Sequence, residues 1–124
     1  MNKNISPHVN IYKFPITAIS SIATRLTGLY LTGLFLGGGI VKLTNKDDYI
    51  YHKYVNLNNN YKSLLHYSVI VPSTYHTFGG IRHFIWDKYP QLMTNIKVTR
   101  SSYLLFGLSS LVSFFLEKNI NIKK

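Results

Sequence analysis

A bundle of three membrane-crossing α-helices is the architecture that this sequence of 124 residues predicts. Two observations carry the prediction. Lys, Arg, Asp and Glu are absent from three runs, Leu26 to Val41, Ser63 to Ile81 and Ser101 to Leu116, of 16, 19 and 16 residues. The charged residues, 14 Lys plus Arg and 4 Asp plus Glu, crowd instead into the termini and connecting segments. A helix on a soluble protein keeps a polar face with charges every turn or two, and runs this long leave no such face. A spanning helix needs about 20 mostly apolar residues, within a range of about 17 to 25. Each run reaches that length once a residue or two at its ends is counted and the Lys and Arg heads snorkel to the interface. The competing architecture is a small soluble bundle of buried helices. The expected organisation is all-α and integral to the membrane, one domain over 1–124 with helices at roughly 16–43, 62–87 and 98–117.

The first helix carries Gly28, Gly33, Gly37, Gly38 and Gly39. Gly33 and Gly37 have the small-xxx-small spacing that lets helices approach closely in lipid. The following segment, LTNKDDYIYHKYVNLNNNYK, is polar and reads as a surface loop, with Tyr49, Tyr51 and Tyr54 placed for the interfacial aromatic belt. The second helix is the most polar, with His66, Ser68, Ser73, Thr74, His76 and Thr77, and a Pro72 expected to kink it. A spanning helix of that polarity faces protein or a cofactor, because lipid satisfies no hydrogen bond. Tyr89-Pro90 marks a break before the third helix, whose SYLLFGLSSLVSFFL is expected only to pack. Seven Lys and Arg residues fall on each side of such a bundle, so the positive-inside rule selects no orientation. No cleavable secretory signal or Arg/Ser-rich transit segment precedes the first helix; a mitochondrial protein of this sequence is expected to be made inside the organelle or imported without a long presequence.

Composition narrows the chemistry. With no cysteine, the chain forms no disulfide, thiolate metal site, thiol nucleophile or Cys-ligated iron–sulfur cluster. The net charge of +10 invites a nucleic-acid reading, but such a protein gathers its cations in one patch. Here they surround apolar cores, which points to a lipid bilayer and to no nucleic acid. The histidines, His8, His52, His66, His76 and His83, have no Cys or acid partner at zinc-ligand spacing, and Gly37 to Gly39 lack the Gly-Lys-Ser/Thr of a phosphate-cradling loop.

Two constellations remain. In SPHVNIYKFPITAISSIATRLTG, residues 6–28, Ser21 and Arg25 are four apart and share a helix face. A hydroxyl beside a guanidinium suits a quinone oxygen or a carboxylate such as a haem propionate. The bland alternative is an arginine that snorkels and anchors the helix end. In YHTFGGIRHFIWD, residues 75–87, His76, Gly80 and His83 lie at i, i+4 and i+7 on one face. A neutral imidazole ligates iron well, and Gly79 and Gly80 remove side chains that would collide with a porphyrin. Here the alternative is an intramembrane histidine bonded to a backbone carbonyl or a neighbouring helix.

Together these motifs resemble the cytochrome b membrane-anchor subunits of succinate dehydrogenase, respiratory complex II. The first is similar to that family's SPH-x-x-IY-…-S-I-x-H-R-x-TG, and the second to its H-x-x-x-G-x-R-H-x-x-x-D. They cover about 36 residues, and helix spacing agrees across nearly the whole chain. The resemblance implies a bundle shared with a second small anchor subunit, docking of a flavoprotein and an iron–sulfur subunit, and reduction of ubiquinone at the anchor. It implies His76 as an axial ligand of haem b, Arg25 near a propionate and the quinone, and Ser21 beside the quinone. His83 and Gly80 fall in the haem environment, and Asp87 matches the acid that ends the motif. One departure stands out: Thr24 occupies the position before Arg25 where the family usually has His. The resemblance also implies the mitochondrial inner membrane, with a bacterial plasma membrane as the alternative, and an N-terminus in the matrix. A haem-free structural anchor of the same complex, or of a quinol:fumarate reductase, is the alternative function. At about 1.5 Å of rise per residue, His76 and His83 are separated by about 10 Å along one face and cannot flank one iron. The chain can therefore supply one axial ligand, and the partner anchor supplies the other.

The charge-free runs predict that the chain stays with the membrane through alkaline carbonate extraction. Recovery in the soluble fraction would overturn the membrane assignment.

Overall fold

A backbone in hydrocarbon must satisfy its own hydrogen bonds, and the charge-free runs accordingly all become helix. The structure is a computed structural model and describes residues 14–122, so residues 6–13 of the first motif, with His8, lie outside the described residues. Helix α1 spans Ile16–Leu43, α2 Asp47–Val55, α3 Asn59–Lys88 and α4 Asn95–Ile122, with a 3₁₀ turn at Pro90–Leu92. No strand occurs among the described residues. At about 1.5 Å per residue the three long helices measure about 42 to 45 Å, longer than a hydrocarbon core of about 30 Å.

Local chemistry sets the boundaries. Pro15 precedes the first turn of α1, where its missing amide is no loss. Asn45 takes the left-handed conformation (φ 53°) that turns the chain into α2, a geometry Asn tolerates better than most residues. The Lys42 ammonium bonds the Asp47 carboxylate across this turn and holds that carboxyl below the usual range. Half of the segment expected to be loop is thus the helix α2, with Asp47 and Asp48 in its first turn and His52 and Lys53 in its last, complementing the helix dipole at both ends. Helix α3 runs on through Pro72, which removes the amide that would bond the Ser68 carbonyl. It stops at Lys88, and Pro90 opens the 3₁₀ turn, so the Tyr89-Pro90 break falls where the sequence places it.

Helix α3 packs against both α1 and α4. Contacts between Ser20 near the start of α1, Arg82 near the end of α3 and Ser102 near the start of α4 make α3 antiparallel to its two neighbours. The interior is the reverse of a soluble core. Ser20, Ser102 and Ser113 are 1%, 0% and 2% exposed, whereas Phe35, Leu43 and Phe84 are 79%, 85% and 72% exposed. Tyr75 and Leu105 are the buried hydrophobic residues among those described. Small and polar residues inside with large apolar ones outside is the arrangement of helices that associate in lipid. Among the described helices α1 alone is long and apolar enough to cross a membrane on length and hydropathy. The polar residues that lower α3 and α4, among them Thr74, Ser109 and Ser113, bond one another across the α3–α4 contact. Gly33, Gly37, Gly38 and Gly39 meet open space within this chain; the close helix approach is made instead at Gly28 and Gly79.

Candidate functional site

Two glycines let α1 and α3 touch, each accepting a side chain from the other helix. A Cβ on Gly28 would stand 2.7 Å from Cε1 of His76, and a Cβ on Gly79 would stand 3.0 Å from Oγ1 of Thr24. The imidazole of α3 is thereby brought up against the backbone of α1. Its Nδ1 lies 3.0 Å from the carbonyl oxygen of Thr24. A carbonyl can only accept, so Nδ1 carries the proton and donates it, leaving the lone pair on Nε2. Metal-ligating histidines are oriented in this way, one ring nitrogen donating to a carbonyl while the other ligates. The backbone bond thus occupies Nδ1 and makes no use of Nε2.

Nearer the α1 N-terminus, three helices meet around one cation. Arg82 is buried; its Nη1 donates to Ser102 Oγ at 3.1 Å and its Nη2 to Ser20 Oγ at 3.3 Å. The two hydroxyls are 3.0 Å apart, and Tyr75 donates its hydroxyl proton to the Ser20 carbonyl at 3.1 Å. The guanidinium also stacks 4.6 Å over Trp86, while its Nε has no partner among the described residues. Its partners there are hydroxyls and a π-face rather than a carboxylate.

The residues singled out from sequence are distributed around this contact. Arg25 follows Thr24 directly, is exposed, and makes no hydrogen bond or ion pair among the described residues. Ser21 is half-buried one turn before it. Gly80 meets open space, unlike Gly79, so of the two motif glycines it is Gly79 that serves helix packing. His83 is exposed and edge-on to Trp86 at 5.4 Å, and Asp87 is exposed. Sequence reasoning missed Ser20, Tyr75, Arg82 and Ser102 as a node. The available signal was the recurrence of Ser102, Ser109 and Ser113 along one face of a charge-free run, which marks α4 as more than filler.

The model for the succinate dehydrogenase/fumarate reductase transmembrane subunit family matches residues 1–116. This chain belongs to that family. It is 34% identical over 120 residues to the succinate dehydrogenase cytochrome b560 subunit of Reclinomonas americana, covering 90% of this chain and 81% of that one. The mitochondrial cytochrome b560 subunit of Dictyostelium discoideum is 33% identical over 111 residues, 87% of this chain and 57% of its own. The human one is 34% identical over 100 residues, 73% of this chain and 59% of its own. The chain thus spans under two thirds of the length of the last two relatives.

Thr24 itself lies in the α1–α3 contact. Residue 24 reaches His76 through its backbone carbonyl, which any amino acid supplies, while the threonine side chain packs on Gly79 and bonds the Ser20 carbonyl at 2.9 Å.

This contact makes a paired prediction. Gly28→Ala, which drives a methyl into the imidazole, destabilises the detergent-solubilised protein by about 1 to 3 kcal/mol. Gly80→Ala, which meets open space within the chain, does not. Equal unfolding midpoints for the two variants would contradict the packing described.

Proposed function

We propose that this chain is the large membrane anchor of succinate:ubiquinone oxidoreductase, offering Nε2 of His76 to haem b and Ser21 and Arg25 to ubiquinone. One observation carries the reading: the Nδ1–Thr24 bond puts the proton on Nδ1 and leaves on Nε2 the lone pair with which His76 would hold haem b. The printed name of the relatives, cytochrome b560, supports haem b as the group in question. When bound, haem b supplies a one-electron redox centre.

The chain's own residues then have distinct tasks. His76 holds an available lone pair inside the bundle. Arg25 and His83, exposed and near polar ends of α1 and α3, would neutralise propionates at the water side. Ser21 and Arg25 would donate to a quinone oxygen; such donors bind the oxygen more tightly as it gains negative charge, which favours reduction. Helices α1, α3 and α4 would cross the mitochondrial inner membrane with the Ser20–Arg82–Ser102 end toward the matrix. A second anchor subunit would help to hold the haem. The flavoprotein and iron–sulfur subunits would dock at the matrix end.

Ser21→Ala or Arg25→Ala is expected to lower quinone reduction by the assembled complex roughly 10- to 100-fold. Losing a charge-assisted contact of about 1.5 to 3 kcal/mol sets that range. Succinate oxidation with a soluble acceptor should persist. If both activities fell together, these residues would be serving assembly.

A reduced-minus-oxidised spectrum tests the ligand. His76→Ala should abolish or convert the low-spin b-type band and loosen the two-anchor assembly, whereas His83→Ala should leave the band in place. A complex with no b-type band in its unaltered form would leave the haem-free anchor as the correct reading.

A further inference from the structure

The end of α3 and the first half of α4 enclose an open cleft of about 460 Å³ that His76, Ser21 and Arg25 do not border. Its floor is apolar, with Ile81 from α3 facing Leu104 and Leu108 from α4. Its rim is cationic. Lys97 and Arg100 stand exposed in the first turns of α4, and Arg82 is set into the wall with an unpartnered Nε. No acid lines the cleft. The two exposed cations immediately precede the charge-free run that starts at Ser101, which puts them at the level of lipid headgroups. Leu108 lies about 12 Å deeper along the same helix, at 1.5 Å per residue.

This gradation limits what fits. A quinone could accept from one of the cations but brings no charge to balance the pair, while a soluble anion has no use for the floor. A wholly apolar helix would leave two cations without a partner. A molecule with an anionic head and an alkyl tail uses both halves at once, and basic pockets between membrane helices recognise lipid headgroups in this manner.

We propose that the α3–α4 cleft binds one anionic phospholipid, its phosphate between Lys97 and Arg100 and an acyl chain along Ile81, Leu104 and Leu108. The buried Arg82 adds positive potential from the wall, so the lipid sits against the node that joins all three long helices. The proposal rests on neither haem nor quinone chemistry.

The test uses the assembled complex, purified in detergent and stripped of native lipid, then titrated with phosphatidylglycerol or phosphatidylcholine of identical chains and read by native mass spectrometry. The unaltered complex should prefer phosphatidylglycerol. In Lys97→Gln/Arg100→Gln that affinity should fall about 30-fold, about 5-fold for each cation, with phosphatidylcholine binding unchanged. Leu108→Trp, which fills the floor, should weaken both lipids. The intact mass of the complex in the same spectra reports that each variant is assembled. Equal phosphatidylglycerol affinity with and without the two cations would overturn the proposal. So would a photo-crosslinker at Leu104 that captures a partner subunit instead of lipid.

Discussion

Arg82 bonds Ser20 on one neighbouring helix and Ser102 on the other, and most of the bundle follows from having to bury that guanidinium. A cation in low dielectric is costly unless its donors are used, so the two hydroxyls have to come to it, and with them α1 and α4. The serines are small enough to let the backbones approach, and each has a local carbonyl to donate to, Thr17 for Ser20 and Val98 for Ser102. Replacing either by a large apolar residue would separate the helices and leave the cation unsolvated.

At the far end of the bundle a second polar cluster mirrors the first. Glu117 of α4 is 3% exposed and lies 3.3 Å from His66 of α3, whose other ring nitrogen is 2.7 Å from the Tyr54 hydroxyl on α2. This contact ties α2 to α3: its Tyr54, half-buried, bonds a histidine of the bundle. The two clusters bracket an interior otherwise held by serine and threonine hydroxyls, such as Thr74 to Ser113 at 2.7 Å. Hydrogen bonds between such groups are worth little individually in membranes, but packing against small residues supplies the remaining attraction.

The candidate site lies between these clusters and draws on both constraints. Gly28 and Gly79 permit the approach, the α1 backbone orients His76, and the same turn of α1 presents Arg25 outward. A side chain facing outward from a membrane helix with a charge on it needs a partner beyond this chain.

Sequence by itself determined the helices, because absence of charge over 16 or more residues is a one-dimensional property that hydrocarbon reads directly. It also singled out His76, through a motif whose spacing survives without any knowledge of packing. It did not reveal that α2 is helical, since a nine-residue segment gains most of its stability from docking, here through Tyr54 and His66. Nor did it distinguish Ser20 from Ser21, or Gly79 from Gly80. Adjacent positions on a helix differ by about 100° in direction, and only the placement of a second helix decides which one is buried. The tautomer of His76 was likewise decided by tertiary structure alone, because the carbonyl that fixes it belongs to a residue 52 positions earlier in the chain.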